Sequence, residues 1–83
     1  QLETVAHEVV NDSVEHLHEV GVSAVGLVEA GAPAPMILET ARNEEVSLIV
    51  LGTSGPSTMT DILLGDVSTE VLRHARCPVM LVP

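Results

Sequence analysis

Two short runs, "VSLIVLG" at 46–52 and "CPVMLV" at 77–82, are apolar almost without a break. A strand with one face in water alternates apolar and polar residues, whereas an unbroken run marks a strand covered on both faces. Strands of that kind sit in parallel sheets with helices on either side.

The intervening segments agree. Residues 2–20 place Leu2, Val5, Ala6, Val9, Val10, Val14, Leu17 and Val20 at spacings of three and four, one apolar stripe of a helix, and Gly21 follows as the expected stop. "VSAVGLV" at 22–28 reads as a further short, largely buried strand, broken by "EAGAP" at 29–33. Pro33 and Pro35 are acceptable in a first helical turn, whose amides have no helical partners. Ile37, Leu38 and Ala41 give the second helix a narrow apolar face that ends near Glu44 and Glu45. Leu63, Leu64, Val67, Val71, Leu72 and Ala75 form the stripe of a last helix. The order α-β-α-β-α-β calls for a parallel sheet with right-handed crossovers.

Composition narrows the function. The 83 residues suit one small domain that buries roughly 60–65% of its surface on folding. The chain has no Phe, Tyr or Trp, so its core is built from Val, Leu, Ile, Ala and Met, and base stacking on aromatic rings is excluded. Twelve acidic residues against 3 arginines, with no lysine, give a net charge of −9. That charge repels phosphate backbones and anionic lipid, so neither nucleic acid nor membrane is expected as a partner. No apolar run approaches the roughly 18 residues of a membrane span, and the lone Cys77 excludes an internal disulfide and suits a reducing cytosol. A cytoplasmic location is therefore expected. The chain begins with Gln1, which suggests a fragment or a processed product.

The stretch "GTSGPSTMTDILLGDVSTE" at 52–70 follows the apolar run, where ligands of parallel sheets settle. Its glycines run Gly52-x-x-Gly55, then nine residues, then Gly65. With "SLIVLGTSG" before it, "ILLGDVSTEVLRHARCPVMLV" after it and "GAPAPMILETA" upstream, the chain resembles the universal stress protein family from about residue 22 onward. The resemblance implies a Rossmann-like α/β fold, five parallel strands ordered 3-2-1-4-5 with flanking helices, and ATP or AMP at the turn after the fourth strand in members that bind it. By position, Leu51 and Gly52 lie near ribose and α-phosphate, and Gly55 lets backbone amides approach the phosphates. Gly65 opens the last helix, and residues 66 and 67 add further contacts. The family's first strand, first helix and second strand have no counterpart, so residues 1–83 are expected to be the C-terminal portion of one such domain.

One departure bears on the ligand. Where binding members carry Ser or Thr, this chain has Asp66, with Asp61 nearby and no Lys or Arg in 43–72. A carboxylate at a helix start favours the helix by about 0.3–1 kcal/mol but occupies the anion's place. Two like charges about 4 Å apart repel by roughly 1–4 kcal/mol, which Mg²⁺ between them can reverse. Glycines also serve tight turns, and Asp66 also serves as a cap. Both a degenerate nucleotide site and a nucleotide-free module therefore stay open. Such a module would act through dimerisation, for which the last strand resembles the family's pairing edge. A slow ATPase would need a base and a cation near the γ-phosphate, and the sequence shows neither.

The remaining candidates read as structural. His7 and His18 share a helix face but lie three turns apart, too far for one zinc at its ~2.0–2.1 Å bond lengths. His16 points elsewhere, and Asp66 and His74 are eight residues apart on one helix, too distant for a relay with Ser68. Cys77 and Met36, Met59 and Met80 read as packing residues.

Overall fold

The computed structural model describes residues 2–52 and 60–83, with side chains described for 4–52 and 66–83. The chain divides into two compact units, Gln1–Ala30 and Gly31–Pro83.

The first unit holds α1 (Leu2–Glu19) and the extended segment that follows it. The helix stops where the sequence predicts. Gly21 takes φ 85°, its amide donates to the His18 carbonyl at 3.1 Å, and the Val22 amide donates to that of Leu17 at 2.8 Å. This is a Schellman motif, with glycine at the left-handed position that disfavours a Cβ. The chain then doubles back so closely that a Cβ on Gly26 would overlap Cγ1 of Val10 and lie 3.2 Å from Cγ2 of Val14. The His18 ring secures the return, its Nε2 lying 3.1 Å from the Ala24 carbonyl oxygen.

Here one expectation fails. Residues 22–28 are extended but belong to no strand. A strand exists by virtue of a ladder partner, and among the described residues the sheet consists of two strands of the other unit. Val25 and Leu27 are consequently 87% and 54% exposed, far from the burial that their apolar run suggested.

The second unit is a β-α-β arrangement with an additional helix. It comprises α2 (Pro33–Asn43), β1 (Ile49–Gly52), α3 (Thr60–His74) and β2 (Val79–Val82). The strands run parallel in the register Ile49↔Val79 to Gly52↔Val82, each shorter than its apolar run. Leading residues 46–48 instead leave the end of α2, and Pro78 accepts the Ile49 amide at 3.0 Å. Pro33 opens α2 as predicted. The buried core is Ala34, Ile49, Leu51, Val67 and Val71, with Ile37, Leu38, Ala41, Ala75, Cys77 and Val79 packed around it. All are aliphatic or sulfur-bearing, as a chain without aromatics requires.

α2 ends in the same motif as α1 but with a different residue at its turning point. The Glu45 amide donates to the Arg42 carbonyl at 3.2 Å and the Val46 amide to that of Ala41 at 3.1 Å. Glu45 takes φ 50°, the left-handed conformation that Gly21 supplies in α1. For a residue with a Cβ this costs on the order of 1–2 kcal/mol, and a carboxylate at a helix C-terminus opposes the dipole as well.

Two stability outcomes are expected. Val71, with 0% exposure, has no room to relax, so Val71→Ala should lower unfolding free energy by about 2 kcal/mol, whereas Val25→Ala should change it by less than about 0.5 kcal/mol. Glu45→Gly should raise it by about 1 kcal/mol. Urea midpoints of the three variants against the parent chain check both.

Candidate functional site

The carboxyl end of β1 is set by its alternation. Ile49 and Leu51 point into the core while Val50 and Gly52 face outward. Leu51, 9% exposed, is therefore a core residue first, and its backbone marks where the strand ends. Gly52 is the last residue of the strand and is exposed. Nothing among the described residues lies within 4 Å of a Cβ built there. Its backbone is not in the left-handed region either, since among the described residues the positive-φ glycines are Gly21 and Gly31. Neither packing nor turn geometry among the described residues thus asks for glycine at 52. Gly55 lies outside the described residues.

The helix start differs from the expectation. α3 begins at Thr60, so Gly65 does not open the last helix but sits in its second turn. Only the first four amides of a helix lack helical partners, so the amides at 65–67 are engaged by the helix ladder and the unpartnered ones precede Gly65. The sequence gives the reason. Asp61 suits a first turn, and "DILL" continues the apolar periodicity backward from Val67 without interruption by a strong breaker. Gly65 is tolerated inside a helix at a cost of about 1 kcal/mol relative to Ala.

Asp66 is exposed on this second turn, about 9 Å along the axis from the helix start at 1.5 Å per residue. It does not cap the helix. Val67 turns the other way and is 7% exposed in the core with Leu51. The structure therefore brings Leu51 and Val67 together as packing partners, and sets Gly52 and Asp66 on exposed surface.

The other polar candidates are dispersed. Ser68 is buried, whereas Asp66 and His74 are exposed, and His74 Nε2 instead lies 3.5 Å from a Glu70 carboxylate oxygen. No relay joins them. Among the described residues no group of three or more His, Cys, Asp or Glu side chains is placed to hold a metal ion. No described helix is long and apolar enough to cross a membrane.

One constellation escaped the sequence reading. A cleft of about 410 Å³ lies at the amino end of the sheet, lined in part by Arg42, Glu45, His74 and Arg76. These residues are scattered over 35 positions, and only the fold gathers them. The one local signal was Glu45, an acidic residue where a helix end favours glycine.

The universal stress protein family matches over residues 1–83, which extends the likeness to α1. Universal stress protein Sll1388 of Synechocystis is 34% identical over 80 residues, covering 96% of this chain and 52% of that protein. Universal stress protein YxiE of Bacillus subtilis is 37% identical over 75 residues, covering 90% of this chain and 51% of that protein. The chain thus spans about half the length of these relatives. No solved structure matches.

Proposed function

The chain belongs to the universal stress protein family, and from that premise we propose that it is a stress-response regulatory domain acting by binding, with a degenerate ATP or AMP site at the carboxyl end of β1. The observation that carries this reading is Gly52. It ends a parallel strand, faces solvent, and is required neither by a positive φ nor by a close neighbour among the described residues. A glycine that packing does not need is suited to letting a ligand approach the backbone.

The outward amides of α3 supply the complementary half. An anion at the start of a helix meets those amides and the positive end of the dipole. Asp61 in the first turn and Asp66 in the second oppose it. At roughly 9 Å the repulsion from Asp66 alone is about 0.4–2 kcal/mol, between aqueous and near-surface dielectric. That is weaker than a carboxylate at the helix start would impose. Bound Mg²⁺ would supply positive charge between phosphate and carboxylate, and the exposed Asp66 is a residue that could face it.

A second reading rests on β2. It pairs with β1 alone among the described strands, and Met80 and Leu81 are 51% and 42% exposed. An apolar edge without a charged side chain along its four residues favours pairing with a second copy. Homodimerisation and nucleotide binding are compatible.

Calorimetry separates the outcomes. Gly52→Ala should leave the thermal midpoint within a few degrees of the parent and weaken Mg·ATP binding about tenfold or more. Equal affinity in both proteins would refute the site. Asp66→Ser should strengthen metal-free ATP binding by roughly twofold to twentyfold, the range set by the repulsion above.

For the dimer, light scattering on Met80→Lys combined with Leu81→Lys should show half the parent mass. An unchanged mass would place any interface elsewhere.

A further inference from the structure

The cleft at the opposite end of the sheet lies among the C-terminal ends of α2 and α3 and the residues leading into β1 and β2. Its volume of about 410 Å³ is within the range of small-molecule sites. Leu38, Val46, Ile49 and Ala75 give it an apolar wall. Its charges are what set it apart.

The chain has only 3 arginines and no lysine against 12 acidic residues, yet Arg42 and Arg76 both line this cleft. The third, Arg73, lies 3.6 Å from a Glu70 oxygen, as His74 does at 3.5 Å. Among the described residues neither Arg42 nor Arg76 has an ion-pair partner within 4.0 Å. In a chain with such an excess of carboxylates, two arginines without an ion-pair partner among the described residues that line one concavity are suited to a carboxylate ligand.

Glu45 is the second observation. It lines the same cleft in a left-handed conformation, where the equivalent position after α1 is Gly21. Its charge also opposes the C-terminal dipole of α2. A residue that breaks two local rules at the mouth of a cleft points to a role in that cleft. Complementing the helix dipole accounts for Arg42 in the last turn of α2, but not for Arg76, which follows α3, and not for Glu45.

Two cations, one anion and an apolar wall match a single class of ligand. We propose that this cleft binds a free α-amino acid with an aliphatic side chain. Its carboxylate meets Arg42 and Arg76, its ammonium meets Glu45, and its side chain lies on Leu38, Val46 and Ile49. The site is separate from the glycine turn, which lies at the other end of β1, and does not depend on nucleotide.

The test is a titration of the ¹⁵N-labelled chain followed by amide shifts, with L-leucine, 4-methylpentanoate and 3-methylbutylamine as probes. Leucine should produce saturable shifts at residues 41–49 and 74–77, and each analogue, lacking one charge, should bind about tenfold or more weakly. Arg42→Gln combined with Arg76→Gln should weaken leucine by about tenfold or more while the far-ultraviolet dichroism is unchanged. Glu45→Gln keeps a side chain of the same shape and should reduce leucine to the level of 4-methylpentanoate. Absence of saturable shifts with leucine up to about 10 mM would overturn the proposal. So would binding of 4-methylpentanoate equal to that of leucine, or unchanged affinity in the arginine or Glu45 variants.

Discussion

One small aliphatic cluster is what the rest of the larger unit depends on. Val67 and Val71 of α3, Ile49 and Leu51 of β1 and Ala34 of α2 are buried in it together. Without aromatic rings to fill space, these few aliphatic side chains must interlock closely, and Val71 is sealed completely. At the amino end of β1, the C-terminal ends of both helices and the residues leading into the two strands define a cleft.

Family membership and physical reading meet at the first of these ends. Gly52 ends β1 exposed and free of packing demands among the described residues, which is what the proposed site asks of it. The helix start shifts the electrostatic argument. Because α3 begins at Thr60, the amides available to an anion precede Gly65, and Asp66 stands further from them than the glycine spacing suggested. In the proposed site, repulsion from Asp66 is therefore tempered, while Asp61 lies in the first turn.

The smaller unit shows the same physics with a weaker core. Gly26 and the His18 ring hold residues 22–28 against α1, yet Val5, Val9 and Val20 of the helix stripe are 53%, 59% and 64% exposed. One extended segment cannot cover a stripe of eight apolar residues. A helix supplies its own hydrogen bonds and so forms from its local pattern, whereas an extended segment needs a neighbour to become a strand.

The sequence by itself determined the three helices, the parallel pair, the helix stop at Gly21 and the helix start at Pro33, because these follow from periodicity and backbone preferences that act over a few residues. It also carried the family, through motifs contiguous in the chain. Tertiary structure alone decided three other matters. It left 22–28 unpaired, since pairing is a property of two segments. It left Gly52 and Asp66 exposed beside the buried Leu51 and Val67, since burial depends on what packs against each face. And it gathered Arg42, Glu45 and Arg76 around one cleft, because side chains distant in the chain become neighbours only where two helix ends and the amino ends of two strands converge.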